Sequence, residues 1–524
     1  MATSPDTETH DLTGRKSFLR NVLFTWGGYV FNLAAGFILP RLVTERLGQT
    51  SLGIWDFAWA MVGYLGMIEL GIGASVDRFL AHDRAAGDLS KLTRNVSSMS
   101  LCMRTLGLLI FLAGLVVSFV IVPHFHNRLG SATQDAEWIV FFLGLAAAFE
   151  VFMSVYWSAI VASHRWDLHN IISAASSGVS TIGMIIAISL GGGLIWMAAI
   201  HSSCTIAGHL VRWRVAYRVC PELCIDWRQA KLHVILEQTR FAAKNLLPRL
   251  ADMFVNQSTS LLITAFAGSG VLTGAAALAI FSRPRGLTRH VRTLVAKFSA
   301  ILIPSASALQ ARADHDALRQ MFLKRSEQAS CLSLPALLWL AILGGPFIAI
   351  WMGREYFRPW LVPVLSLGYL ATMLQDPVWA IMSGLNKHGR IAIAKLIGSM
   401  VCAACVGLAL SFSENKLLAA AFALTLPMLF VDGVIVPFIA CRELGVPVAV
   451  FFRITLIKPL KVFLPSGVCL LAARLIFQHE PVKALLVGGG LGGVVFAITF
   501  YLLVVPARIR ASVRGRLAGM MSRA

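Results

Sequence analysis

The sequence predicts an all-α integral membrane protein of about fourteen transmembrane helices, arranged as two six-helix lobes followed by two C-terminal helices. Three observations carry this prediction. Apolar runs of about 20 residues, each long enough to cross the hydrocarbon core as a helix, follow one another from Asn21 to Val505 with short polar breaks. The 524 residues are 57% hydrophobic and 14% charged, with a mean hydropathy of +0.72, which excludes a soluble globular domain or a long disordered segment. Lys and Arg concentrate in alternate loops, as membrane topology demands.

Taken in order, the spans fall near 21–43, 52–80, 96–122, 138–162, 170–190, 193–211, 242–266, 271–304, 328–350, 361–383, 391–411, 418–440, 460–477 and 484–505. Residues 1–14 are polar, and the first apolar run is too long and lacks the small-residue cleavage site of a secretory signal, so it is read as a retained helix. Loops after even-numbered spans, together with both termini, hold about 25 Lys and Arg, and the opposite loops about 6. Both termini are therefore expected in the cytoplasm. The formal charge of +20 follows from this loop bias and calls for no nucleic acid.

The chain divides into an N-terminal lobe over 1–211, a cytoplasmic linker over 212–240, a C-terminal lobe over 241–441, and helices 13 and 14 with a basic tail over 442–524. In the linker Arg212, Arg214, Arg218, Arg228, Lys231 and Arg240 surround Trp213, Tyr217 and Trp227. That pattern fits a segment lying on an anionic leaflet or a solvated connection between halves. An internal repeat supports the division. Asn21, Thr25, Gly28 and Asn32 of span 1 recur as Asn245, Arg249, Asp252 and Asn256 of span 7 at a constant offset of 224. The loop Arg84-Ala85-Ala86-Gly87-Asp88 is echoed by Arg312-Ala313-Asp314-His315-Asp316. Two halves of equal orientation place a site between them, with Asn32 and Asn256 at equivalent positions.

Charge inside the spans carries the functional signal. Span 8 holds Arg283, Arg285, Arg289, His290, Arg292 and Lys297, each Arg or Lys costing roughly 2.5 to 3.5 kcal/mol at the centre of a membrane helix. At about 100° per residue, Arg285, Arg289 and Arg292 share an arc of roughly 60°. Three guanidiniums so aligned suit phosphate oxygens, so an anionic substrate is expected on Arg285, Arg289, Arg292, Arg249, Asn256 and Asn32. Snorkelling of the more cytoplasmic members to the headgroups is the structural alternative. Pro284 and Gly286 predict an interrupted helix at this point. Arg249 and Asp252, three residues apart, form either an ion pair or part of the site. Asp252, Glu69 and Asp56 are candidates for ion pairing or for carrying a coupling ion, and Asp376 and Asp432 are open in the same way.

Nine cysteines are scattered singly, and Cys220 with Cys224 has no second pair to complete a zinc site, so neither metal nor cofactor is expected. No phosphate loop of the G-x-x-x-x-G-K-[ST] kind occurs, which leaves a gradient or a partner as the energy source. External loops of about fifteen residues or fewer give an enzyme little from which to build a site. Asp77-Arg78-Phe79-Leu80 lacks the continuation of a major-facilitator loop.

Leu47-Gly48, Gly53-Ile54-Trp55 and the run Gly66-Met67-Ile68-Glu69-Leu70-Gly71-Ile72-Gly73-Ala74-Ser75 before Arg78 resemble the first two helices of Wzx-type polysaccharide flippases. Further matches are Pro304-Ser305-Ala306-Ser307, Gly345-Pro346-Phe347-Ile348, Trp351-Met352-Gly353 and Gly384-Leu385-Asn386-Lys387. Such flippases belong to the multidrug/oligosaccharidyl-lipid/polysaccharide exporter (MOP) superfamily, with the MATE antiporters and the lipid II flippase MurJ. The resemblance implies a V-shaped cavity between two lobes, residence in a bacterial inner membrane, and alternating-access transfer of a polyprenyl-diphosphate-linked oligosaccharide for surface polysaccharide assembly. It further implies membrane lipid as a partner, and a polysaccharide polymerase and chain-length regulator in the same pathway. Lipid II flipping and MATE-like export of small molecules are the alternatives, the latter favouring a carboxylate-rich cavity.

The loop charges generate a test. Reporter fusions at Arg84, Trp227 and Ala313 should read cytoplasmic, and fusions at Gln49 and Gly192 external; an external signal at Trp227 overturns the six-span division of the first half.

Overall fold

The computed structural model describes residues 15–69, 72–130, 133–243, 246–268, 272–505 and 510. Among these residues the chain is helical without a β-sheet, and it forms two compact units, Met1–Arg249 and Leu250–Ala524. Asn21, Thr25 and Arg78 lie in helices, with side chains outside the described residues, and Asn245 lies outside them altogether.

In the first unit α1 (Arg15–Leu47) turns into α2 (Gln49–Leu65) at Gly48, whose φ of 88° is the left-handed backbone that glycine adopts without strain. The expected second span is not one helix. α2 passes into a 3-10 turn, Gly66–Glu69, and helix resumes as α3 (Gly73–Ala85). Asp88 caps α4 (Leu89–Val116), its carboxylate accepting from the Lys91 N–H at 2.9 Å. α4 continues through a π-turn, Val117–Ile121, and a 3-10 turn into the short α5 (His126–Leu129). α6 (Thr133–Phe152) and α7 (Ser154–Ala162) are two parts of one apolar run bent by 46°.

α8 (Trp166–Ser189) packs along α9 (Leu194–Val219). α9 extends past the expected end of span 6, so Arg212, Arg214 and Arg218 are helical rather than linker residues. The connection that follows is fastened to α4: Ser97 and Ser98 hydroxyls accept from the Asp226 and Lys231 N–H groups, both at 2.9 Å. Trp227 lies under the Arg104 guanidinium, 4.5 Å from its ring centre. This part is therefore fastened to the first unit rather than a free linker. α10 (Leu232–Ala243) follows, and α11 (Leu246–Met253) contains the division between the units.

In the second unit α11 leads through a π-turn, Phe254–Ser258, into α12 (Thr259–Phe266). α13 (Gly274–Ala300) is capped by Thr273 and runs unbroken through Pro284 and Gly286, against the expected interruption. A membrane helix tolerates proline where neighbouring groups satisfy the freed backbone. The turn falls later, at Ile301, before α14 (Leu302–Ala311). Then come α15 (His315–Trp351), α16 (Leu361–Gly384), α17 (Gly389–Phe412) and α18 (Lys416–Phe430). A π-turn, Val431–Ile435, joins α18 to α19 (Val436–Leu444). After α20 (Val448–Phe452) and a further π-turn, α21 (Lys458–Ile476) and α22 (Pro481–Leu503) close the unit. They pack on α15 through Leu334, Leu343, Phe463 and Leu470, with the Trp339 Nε1–H donating to Ser466 Oγ at 3.2 Å.

By length and composition eleven helical segments among the described residues can cross a membrane, or twelve if α6 and α7 form one span. The remaining expected spans coincide with α1 and with the helical run over 246–266. The two units also share backbone punctuation. Left-handed residues recur at Gly87 and Ala313, at Gly130 and Gly353, and at His164 and Asn386, offset by 226, 223 and 222. In the first pair the next residue is an aspartate that caps a helix, Asp88 and Asp314. The structural register of this loop is thus two residues away from the Arg84 and Arg312 alignment, because cap geometry rather than residue identity is what repeats.

Lipid supplies little hydrophobic drive between helices, so close approach of backbones matters. A Cβ at Gly274 would collide with the Thr264 carbonyl, whereas one at Gly286 would meet nothing within 4 Å. Gly274→Ala should therefore lower the thermal unfolding midpoint by several degrees, and Gly286→Ala should leave it unchanged or raise it through better helix propensity, worth about 1 kcal/mol. Equal behaviour of the two variants in a detergent melt contradicts this packing.

Candidate functional site

The arc of arginines on α13 does not act as one surface. Arg285 is buried, donating from Nη1 to the Asn256 carbonyl at 3.2 Å and from Nη2 to Ser260 Oγ at 2.7 Å. Its guanidinium thus fastens α13 to the π-turn, where the regular helical ladder shifts. Arg283 is buried on the same helix. Arg289 is exposed. Arg292 stands between two carboxylates, 3.7 Å from Asp252 Oδ1 and 3.6 Å from Asp376 Oδ1.

Around Arg292 the second unit builds a polar cluster. Asp432, buried in the π-turn before α19, accepts from Thr372 Oγ1 at 2.7 Å and meets Lys395 Nζ at 3.0 Å. Asp376 is also buried, and its second oxygen has no hydrogen-bond partner. A cavity of about 50 Å³ separates these groups, lined by Asp252, Asn256, Arg292, Tyr369, Lys395 and Asp432 among others. That volume accommodates one or two waters. Three carboxylates face two cations here, leaving one formal negative charge. The Asn256 side chain turns back to donate to the Asp252 carbonyl at 2.7 Å.

Asp252 thus pairs with Arg292 rather than with Arg249, one of the two readings their spacing left open. Arg249, exposed at the end of the first unit, lines a cavity of about 310 Å³ together with Glu69, Asp77, Glu150 and Trp157. Glu69 reaches this cavity because the chain breaks helix at Gly66–Glu69, and Glu150 because it sits just before the bend between α6 and α7. Irregular backbone at membrane depth is tolerated where it borders a cavity. Gly73 leaves room for the Glu69 carboxylate, which a Cβ there would approach to 2.7 Å. Asp56 is half-buried on α2 and lines neither cavity. Asn32 is exposed on α1 and accepts from Ser177 Oγ of α8 at 2.6 Å.

The candidates therefore separate: Asp252, Asn256 and Arg292 converge in one unit, Glu69 and Arg249 in the other, and Arg285 serves a helix contact. Sequence reading did not bring forward Lys395, Thr372, Tyr369 or Arg212. Lys395 and Thr372 became partners of Asp432 only through helix packing. Arg212 carried a signal, four residues beyond Gly208 on an α9 stripe with His201, Thr205 and His209, but it lay at the edge of a basic run and was read with it. Among the described residues no group of three His, Cys, Asp or Glu converges as a metal site.

Comparison with known proteins fits this architecture. Residues 18–310 match the family described as polysaccharide biosynthesis protein. Over 365 residues, 68% of this chain and 70% of the relative, the chain is 20% identical to a protein named uncharacterized membrane protein EpsK from Bacillus subtilis (strain 168). An inward-facing MATE-family transporter of the MOP superfamily superposes with a TM-score of 0.68 at 15% identity, covering 80% of this chain and 94% of that one. The lipid II flippase MurJ in an inward closed conformation superposes with a TM-score of 0.62 at 12% identity, covering 92% and 98%. The chain belongs to the polysaccharide biosynthesis protein family, the group to which its Wzx-type motifs point, and it has the fold of the MOP-superfamily transporters.

Proposed function

We propose that the protein carries a polyprenyl-diphosphate-linked oligosaccharide from the inner to the outer leaflet of a bacterial inner membrane by alternating access, with both termini cytoplasmic. The observation that carries this reading is the cationic helix α13, on which Arg289 stands exposed, in a membrane chain of a polysaccharide biosynthesis family. A lipid-linked diphosphate and its glycan cannot cross hydrocarbon unaided, because each unpaired polar group costs several kcal/mol. Fixed cations and a hydrated path lower that barrier, while the lipid tail stays in the bilayer. Release requires moderate affinity, so an exposed guanidinium serves better than a closed cage.

In this reading Arg289, exposed on α13, contacts the diphosphate, Arg285 holds α13 in place, and Arg292 belongs to the acidic cluster. The uncompensated carboxylate around Arg292 is the seat of coupling, taking a proton or a small cation when the energy source is a gradient. Division into two lobes over 1–211 and 241–441, with 442–524 as an appendage, is part of the proposal. So are a polymerase and a chain-length regulator acting on the delivered glycan.

A MATE-like exporter of small cations is the second reading, favoured by the three carboxylates of the cavity that Arg249 lines. The two separate on substrate charge. In a strain lacking the gene, Arg289→Gln should cut export of the native glycan about tenfold, the loss of a charge-assisted contact worth roughly 1.5 to 3 kcal/mol, with protein in the membrane at the parent level. Arg285→Gln should instead lower the amount of folded protein. Unchanged glycan export by Arg289→Gln removes the diphosphate role, and restoration of cation efflux but not of glycan export selects the second reading. Asp376→Asn neutralises the odd charge of the cluster. Transport by this variant should lose its dependence on external pH or sodium; unaltered dependence places coupling elsewhere.

A further inference from the structure

The first unit contains a cavity that the diphosphate reading does not use. Its volume is about 360 Å³, within the range of roughly 300 to 1,000 Å³ usual for small-ligand pockets. One wall is a hydroxyl stripe on α8, where Ser173, Ser176, Ser177, Ser180 and Thr181 recur at helical spacing of three and four. The facing wall is α9, with His201, Thr205, His209 and Arg212 on a single stripe. α2 supplies Trp55 and Trp59 on successive turns, edge to face at 6.2 Å, and the Trp59 ring lies 5.3 Å from that of His201. Glu150 lines this cavity as well as the one beside Arg249. α8 and α9 stand close because position 208 is glycine: a Cβ there would come within 2.9 Å of Ser176 Oγ.

Two groups in this wall have unused hydrogen-bonding capacity. Arg212 is 8% exposed; its Nη2 donates to Ser173 Oγ at 2.7 Å, but its buried Nε has no partner. His209 is 3% exposed, and its Nδ1 likewise has none. Buried polar atoms of this kind are seldom left unmet in a folded protein, since each costs about 1 to 3 kcal/mol. Both residues line the cavity, where a ligand rich in hydroxyls offers partners to polar side chains. Serine and threonine donate and accept, matching hydroxyls that do the same. Tryptophan adds a broad apolar face with a single polar edge, which suits the C–H face of a pyranose ring. The single cation Arg212 is balanced by Glu150, so a diphosphate with two negative charges finds no match here.

We propose that this cavity is a sugar subsite that takes up one pyranose residue of the glycan and thereby selects which oligosaccharide is moved. The proposal rests on the reading of the chain as a transporter of lipid-linked glycan. Trp55 and Trp59 provide the stacking surface, the α8 hydroxyls read the pattern of equatorial and axial hydroxyls, and Arg212 with His209 binds the hydroxyls that reach deepest. Asn32, through its bond to Ser177, ties α1 to the hydroxyl wall.

The full-length protein in phospholipid nanodiscs, free of glycoside detergents that would compete, is melted against a panel of methyl glycosides, with glycerol and inorganic pyrophosphate as controls. At least one glycoside should raise the midpoint saturably, and Trp59→Ala should raise its half-effect concentration tenfold or more. The double variant Ser176→Ala, Ser180→Ala should change which glycoside is preferred, and it carries the comparison if Trp59→Ala does not fold. No glycoside shift beyond that of glycerol, or a shift unchanged in the variant that folds, overturns the subsite. Glycan export in cells separates the two readings. Restored export without a glycoside shift removes the subsite alone, whereas a glycoside shift in a protein whose deletion leaves export intact removes the flippase reading and keeps the sugar site.

Discussion

A charge inside a membrane protein persists only where another group takes it up, and the position of Arg292 between Asp252 and Asp376 is the contact on which the second unit turns. These residues come from α13, α11 and α16, and the Asp432 link to Lys395 and Thr372 adds α17 and a second contact to α16. Six polar side chains from distant parts of the sequence thus meet in one cluster beside a small cavity. Removing one partner leaves an uncompensated charge in low dielectric, which is more costly than the pair is stabilising.

Backbone irregularity follows the same economy of partners. The 3-10 turn at Gly66–Glu69 and the π-turns at Phe254–Ser258 and Val431–Ile435 carry Glu69, Asn256 and Asp432. A regular helix would keep its carbonyls within its own ladder; a shifted turn frees backbone groups that side chains can meet, as Arg285 meets the Asn256 carbonyl. Proline at 284 does not break α13. Local breaker chemistry is therefore a weaker guide at membrane depth than the availability of a polar neighbour.

The two units place their polarity differently. The second gathers opposite charges around a cavity of about 50 Å³, too small for anything beyond water or an ion. The first encloses two larger cavities, about 310 and 360 Å³, which share Glu150. Larger space with hydroxyl and aromatic walls suits recognition of a polar solute.

Sequence by itself determined the helical membrane class, because apolar run length is a local property that lipid reads directly, and short motifs such as Gly53-Ile54-Trp55 pointed to the family. It also gave the inventory of intramembrane charge, including Glu69, Arg249, Asp252 and the α13 arginines. Which of these meet was decided by tertiary structure alone. Helical phase put Arg285, Arg289 and Arg292 on one arc, yet 100° steps say nothing about what stands opposite. The π-turn and α12 supplied a carbonyl and a serine to Arg285, α11 and α16 supplied carboxylates to Arg292, and Arg289 was left exposed. Arg249 and Asp252 were neighbours in sequence but faced different surroundings, so the pair that their spacing left open gave way to a contact across helices. The cavity beside Arg212 was written as hydroxyl and histidine stripes on α8 and α9, but only their packing, permitted by Gly208, made those stripes into facing walls.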